Sequence, residues 1–171
     1  NLHGHLVQNN LLYGSDESIQ FMDYFMEALN FYSLKASMEI AKKKNETFYG
    51  FEHSEYANGN YFNQYVNKAD VDPSDKVKQA LGNVPIITSD MWKELKGQVQ
   101  KYGVFNAYRL AVAPTGSISY IRSCTASMAP ITEKVEIRDY ADSRTIYPMP
   151  YMTDENKHLY VEAYHIEPYK L

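Results

Sequence analysis

The segment Arg109-Leu-Ala-Val-Ala-Pro-Thr-Gly-Ser-Ile-Ser-Tyr-Ile121 breaks an apolar run with a turn of small, hydroxyl-bearing residues and then resumes it. Phosphate is the ligand such a turn suits best. Pro114 and Gly116 leave the backbone uncrowded, and the hydroxyls of Thr115, Ser117 and Ser119 add side-chain donors. Successive backbone N–H groups in a turn can form an anion-binding nest, which hydroxyls complete. Pro114, Thr115, Gly116, Ser117, Ile118 and Ser119 are therefore the candidate phosphate-binding residues. The same Pro-Thr-Gly-Ser also reads as an ordinary type I or II turn between two strands.

Other reactive side chains give weaker patterns. Cys124 follows the turn closely, but Arg122 is the only basic residue near it in sequence, so it reads as a structural thiol. His3 and His5 lack the spacing of three or four that helical metal pairs use, and His53, His158 and His165 stand singly. No metal site is expected. Acidic pairs such as Asp16-Glu17 fall at helix starts and isolate no general acid and base, so no catalytic residue is assigned.

The elements that must position the turn can be read coarsely. Leu2 to Asn9 reads as a helix end, followed by a Tyr13-Gly14-Ser15-Asp16 turn in which Ser15 or Asp16 caps the next helix. From about Glu17 to Lys44, apolar residues Ile19, Met22, Phe25, Met26, Leu29, Tyr32, Leu34, Met38 and Ile40 recur mostly at three and four. They predict a long helix with one broad buried stripe. Lys42, Lys43 and Lys44 close it, either as a solvated end complementing the helix dipole or as a phosphate-attracting patch.

Phe48, Tyr49, Phe51, Tyr56, Tyr61, Phe62 and Tyr65 populate an aromatic stretch that reads as a packed covering loop, with a short helix from Asn60 to Val66. Stacking on a base is the other use of such rings. Asp72-Pro73-Ser74 starts a short helix to about Leu81. Another runs from Ser89 to Tyr102, capped by Thr88 or Ser89 and closed by Gly103, with Met91, Trp92, Leu95 and Val99 on one face. Buried strand, phosphate turn and second strand then occupy Arg109 to Ile121. Glu133, Glu136 and Arg138 alternate like a surface strand, with Arg144 as their pairing partner. Helix followed by strand is the rhythm of an α/β barrel or doubly wound sheet.

Composition narrows the class. The chain has 171 residues, 44% hydrophobic and 22% charged, enough for one domain with a core. A formal charge of −4 gives no support for a nucleic-acid or membrane-surface partner. One cysteine excludes a disulfide framework and fits a reducing, cytoplasmic compartment. No window approaches about 18 uninterrupted apolar residues, so no membrane span is expected. The 16 tyrosines suit half-buried positions and subunit contacts.

The chain resembles the large catalytic subunit of ribonucleotide reductases, most closely the class Ib ribonucleoside-diphosphate type. The carriers are Asn1-Leu-His-Gly4, Phe51-Glu-His-Ser-Glu-Tyr-Ala-Asn-Gly-Asn-Tyr-Phe62, Val99-Gln-Lys-Tyr-Gly103, Arg109 to Ile121, and Cys124-Thr-Ala-Ser-Met-Ala-Pro-Ile131. That resemblance implies an α/β fold, a fragment of a ten-stranded α/β barrel, with residues 1–171 part of a single catalytic barrel domain incomplete at both ends. It implies that the loop matching Pro114 to Ser119 holds the diphosphate of a ribonucleoside diphosphate.

It also implies chemistry that one cysteine cannot supply: a radical cysteine and a redox pair. The family places these, and its allosteric nucleotide site, before the matched part, and its radical-passing tyrosines and cysteine tail after it. The further partners implied are the remainder of the large subunit, a small radical-generating subunit with a dinuclear Mn or Fe centre, and a thioredoxin- or glutaredoxin-like reductant. An internal or split-gene fragment, catalytically incomplete and possessing a phosphate wall, is the resulting expectation. The alternative is a module that binds phosphate or assembles in trans. Two positions depart from the family pattern: Met128-Ala129 stands for the more usual Ile-His, and Arg122-Ser123 for an Asn-Asp type pair.

Overall fold

The structure is a computed structural model and describes residues 1–170. Seven α-helices and one hairpin make up its longer elements: α1 (Leu2–Gln8), α2 (Asp16–Lys44), α3 (Glu55–Asn58), α4 (Asn63–Val66), α5 (Asp75–Leu81), α6 (Ser89–Tyr102), α7 (Gly116–Ile121), β1 (Val135–Tyr140) and β2 (Ser143–Pro148). Short 3-10 turns fill Phe51–His53, Asn60–Phe62, Ala163–His165 and Pro168–Lys170. The chain divides into two compact units, Asn1–Phe21 with Ser74–Ala80 and Val112–Leu171, and Met22–Pro73 with Leu81–Ala111.

The second unit is built on α2 and α6. Phe31, Leu34 and Met38 of α2 meet Trp92, Leu95 and Val99 of α6 in its core, joined by Phe62, Ile87 and Val104. Both α6 ends follow the expected chemistry. Thr88 Oγ1 accepts from the Met91 N–H at 3.3 Å, and Gly103 closes the helix at φ 78°, a conformation that favours glycine. The aromatic stretch packs as a cover, with Phe48, Phe51, Tyr56, Tyr61 and Tyr65 against this core and Tyr65 stacked on Trp92 at 4.0 Å.

One polar group enters that core. Glu27 is buried on α2, where its carboxylate accepts from Trp92 Nε1–H at 2.8 Å and pairs with Lys68. A buried indole N–H needs an acceptor, and a buried carboxylate needs donors.

Three expectations are corrected. The α2 stripe is narrower than the sequence pattern suggests. Leu34 and Met38 are buried with Phe21, Ala28, Phe31 and Ala41, whereas Ile19, Phe25, Leu29, Tyr32 and Ile40 lie on an exposed face. A 29-residue helix has apolar residues on two sides, and spacing alone does not say which side the core takes.

The strand, turn and strand expected over Arg109 to Ile121 is also replaced. Leu110 and Val112 are exposed and lie outside any strand, and residues 116–121 form α7. Without a neighbouring strand to bond its backbone, the segment satisfies itself locally. The Ser119 N–H donates to Thr115 O at 3.2 Å and the Arg122 N–H to Ile118 O at 3.1 Å. Thirdly, Arg144 pairs with Asp139 at 2.7 Å, and Arg138 pairs with Glu136 at 3.2 Å. The surface strand itself is β1, antiparallel to β2 with Ile137 opposite Ile146.

The first unit holds Val7, Ile131, Met149, Leu159 and Tyr160 in its core, with a parallel bridge between Ile131 and Glu162. Unfolding in urea tests the Glu27 contact. Glu27→Ala, which orphans the Trp92 N–H, is expected to cost about 2–4 kcal/mol. Glu27→Gln, which keeps an acceptor, should cost less than half of that.

Candidate functional site

Thr115 begins the turn in the left-handed region at φ 44°, ψ 33°, uncommon for a threonine, and serves as the N-cap of α7. Its hydroxyl is held. The Ser127 N–H donates to Thr115 Oγ1 at 2.7 Å, so the hydroxyl's own hydrogen points away from that bond and remains a donor. At the start of α7 the N–H groups of Gly116, Ser117 and Ile118 have no carbonyl one turn behind them. Gly116, Ser117 and Ile118 are exposed, and a Cβ added to Gly116 would meet only open space. The backbone here is free for a ligand to approach.

The candidate residues therefore separate. Thr115, Gly116, Ser117 and Ile118 present donors at one accessible turn, and Pro114 precedes them exposed. Ser119 does not join them. It is buried, and its hydroxyl donates back to Gly116 O at 2.6 Å, fixing the first turn of α7.

Behind the turn stands a strap, residues 122–131, to which residue type alone assigned no part in holding the turn. Ser123 and Ser127 adopt φ 50° and 51°, so the strap bends at two left-handed residues. Thr125 is buried and its Oγ1 accepts from the Gly4 N–H at 3.0 Å, while the Leu2 N–H donates to Ser127 O at 3.3 Å. Cys124 packs here as a structural thiol, its Sγ 3.7 Å from Ser119 O. The bonds from Gly4 and Leu2 to Thr125 and Ser127 carry no sequence signal, because the partners lie more than a hundred positions apart in the chain.

His3 secures α1 to the same strap. Its ring is fully buried; Nδ1 accepts from the Ile131 N–H at 3.1 Å and Nε2–H donates to Leu159 O at 3.2 Å. Tyr160 stacks on it at 5.4 Å and Tyr13 lies tilted at 5.1 Å. Burial pushes the His3 imidazole below its ordinary value, an effect only partly opposed by the Leu159 carbonyl. The neutral tautomer suits both bonds. Among the described residues no group of three or more His, Cys, Asp or Glu could hold a metal ion.

On the other side of α7, Ser119, Tyr120, Cys124, Glu136 and Tyr147 help line a cavity of about 400 Å³. Tyr120 donates to Glu136, and Arg138 lies over the Tyr120 ring at 4.2 Å. The cavity's polar edge is thus already internally paired.

In the second unit, Arg109 is held entirely by neutral oxygens. Nη1 donates to Asn30 O and Ser33 Oγ at 3.2 and 2.6 Å, and Nη2 donates to Asn30 Oδ1, Tyr56 and Tyr61 at 3.0–3.2 Å. Burial, with Tyr61 beside it, pushes the neighbouring Tyr65 phenol up to about 12. Lys42 lies over the Tyr102 ring and Lys44 over Phe105.

The sequence profile described as ribonucleotide reductase, barrel domain, matches residues 1–170. The chain belongs to this family. It is 45% identical over its whole length to the ribonucleoside-diphosphate reductase NrdEB subunit alpha of Bacillus subtilis (strain 168), of which it covers 16%. It is likewise 45% identical, again over all of this chain, to the ribonucleoside-diphosphate reductase subunit alpha of the same organism, covering 24% of it. To the corresponding subunit of Mycoplasma pneumoniae it is 37% identical, over 98% of this chain and 24% of that protein. The chain thus spans between about a sixth and a quarter of the length of these relatives. Within the family domain, Pro114, Gly116, Ser117 and Ile118 are exposed and Thr115 is half-buried, so the start of α7 is open to solvent.

A histidine pushed below its ordinary value stabilises the fold only while neutral, because the unfolded chain binds the proton more readily. Stability tied to His3 is then fully present above pH 6.5 and lost as pH falls below it. Chemical denaturation from pH 7.5 to 5 should show wild type losing up to about 1.4 kcal/mol per pH unit through this one proton. His3→Gln, able to donate and accept at the same two places, should flatten that slope.

Proposed function

We propose that this chain is part of a ribonucleoside-diphosphate reductase alpha subunit of the class Ib type, reducing ribonucleoside diphosphates to deoxyribonucleotides for DNA synthesis. Its contribution is the substrate-phosphate turn. Thr115, Gly116, Ser117 and Ile118 supply donors there, Pro114 shapes the entry, and Ser119 acts from behind by fixing the turn. The observation that carries this reading is the Ser127 N–H to Thr115 Oγ1 bond. By occupying the hydroxyl oxygen as an acceptor, it leaves a donor beside the open N–H groups of α7. Ionised phosphate oxygens accept hydrogen bonds, so a turn rich in donors matches them.

The relatives' printed names and the family membership support the activity; the chain's residues support the binding role. No carboxylate or second cysteine stands at the turn, which fits a binding role for it and not a bond-breaking one. The radical is supplied by a dinuclear manganese or iron centre in a small partner subunit, and reducing equivalents by a thioredoxin- or glutaredoxin-like protein. Effector nucleotides bind elsewhere on the large subunit. These events take place in a bacterial cytoplasm, whether the gene is the host's or a phage's. The residues of this chain hold the diphosphate.

Co-expression with the remainder of its large subunit, followed by assay of diphosphate reduction with the small subunit, tests the reading. Thr115→Val combined with Ser117→Ala should raise KM about tenfold or more and leave kcat nearly unchanged, because ground state and transition state lose the same contacts. Reduction indifferent to both hydroxyls would show that the turn is structural. The 171 residues alone should show no reduction.

A further inference from the structure

We infer that Thr125 is a positioning residue for the phosphate turn, acting through the backbone of Ser127 on the Thr115 hydroxyl. The inference rests on the reading of Pro114 to Ser119 as the phosphate site and names what keeps that site in a binding geometry.

A threonine hydroxyl rotates freely unless something fixes it, and a hydroxyl free to rotate is a poor preorganised donor. Here the Ser127 N–H fixes it, at 2.7 Å. Ser127 can reach Thr115 only while its own backbone holds φ 51°, a left-handed conformation that costs a serine free energy. Something must therefore hold the strap in place. The restraints include the Gly4 N–H to Thr125 Oγ1 at 3.0 Å, the Leu2 N–H and the Asn1 nitrogen to Ser127 O at 3.3 and 2.6 Å, the Tyr13 hydroxyl to Met128 O at 3.0 Å, and the Ile131 N–H to His3 Nδ1 at 3.1 Å. The first uses a side chain of the strap. Thr125 is 2% exposed and lies two residues before Ser127, so its hydroxyl is a restraint on that amide that one substitution removes.

Gly4 fits the same account. Its ideal Cβ would stand 3.4 Å from both Cγ2 and Oγ1 of Thr125, in van der Waals contact, so α1 lies directly against this side chain. Thr125 is no contact of the ligand. Its effect is on the acceptor bond that orients Thr115, and the Ser127 side chain has no part in it.

Calorimetric titration of the 171-residue chain with inorganic pyrophosphate separates the possibilities. Four variants join wild type: Thr125→Val, which is isosteric but cannot accept; Thr125→Ser, which can; Ser127→Gly, which keeps the N–H; and Thr115→Val. Wild type should bind, with Thr115→Val and Thr125→Val each weaker by about tenfold, the loss of one oriented hydrogen bond to a charged group. Thr125→Ser and Ser127→Gly should stay within about twofold of wild type. In Thr125→Val the Ser127 amide should also lose its protection from hydrogen exchange.

Thr125→Val binding as wild type while Thr115→Val is weakened overturns the positioning role and leaves the phosphate site standing. Thr125→Ser as weak as Thr125→Val overturns it too, by showing that the methyl group's packing is what matters. Wild type without pyrophosphate binding overturns the phosphate reading, and this inference with it.

Discussion

The bond from the Ser127 amide to the Thr115 hydroxyl is the constraint from which the site follows. A six-residue helix has little intrinsic stability, since its first turn fixes several dihedral angles for very few hydrogen bonds. α7 persists because both its ends are fastened. Thr115 is held by the strap at one end, and at the other the Cys124 N–H donates to Ser119 O at 3.0 Å. The strap is in turn pinned to α1 through Gly4, Leu2 and the His3 ring. The N–H groups at the turn are open because the first turn of a helix has no carbonyl of its own for them.

The second unit solves a different problem, burial of charge. Glu27 is placed in an aromatic core with an indole and a lysine as its donors. Arg109 takes the opposite course, with one carbonyl, one amide oxygen and three hydroxyls around its guanidinium. Its buried Nε alone has no acceptor among the described residues. Neutral acceptors satisfy the N–H groups without cancelling the charge, so the tyrosines Tyr56 and Tyr61 serve both as cover for the core and as ligands of a cation. An aromatic-rich sequence there has a polar reason as well as an apolar one.

Much of this was legible in the sequence. Caps and periodicity placed α2, α5 and α6 to within a residue or two, because Ser, Thr and Gly at helix ends act through local bonds. Trp92 reads correctly as core. What the pattern could not carry was anything set by distant partners. Leu110 and Val112 have the composition of a strand but no neighbour to pair with, so they remain exposed and Gly116 to Ile121 coils instead. Likewise the buried face of α2 depends on where α6 lies, not on the spacing of Leu29, Tyr32 and Ile40. At the turn, the exposed, small and hydroxyl-bearing character of Gly116 and Ser117 was readable from residue type. Ser119 has the right hydroxyl, facing the wrong way. Thr125 and His3 carry no local signal, since their contacts span the length of the chain, and Ser127 acts through its backbone, which residue type does not reveal.

The central claim is that an anion's oxygens sit on the open N–H groups at the start of α7. Amide chemical shifts of the 15N-labelled chain during titration with a nucleoside diphosphate test it most directly. The account predicts saturable shifts concentrated at Gly116, Ser117 and Ile118, with the Ser127 amide following. Saturable shifts centred instead on Lys42 to Lys44, or none at the turn, would contradict it.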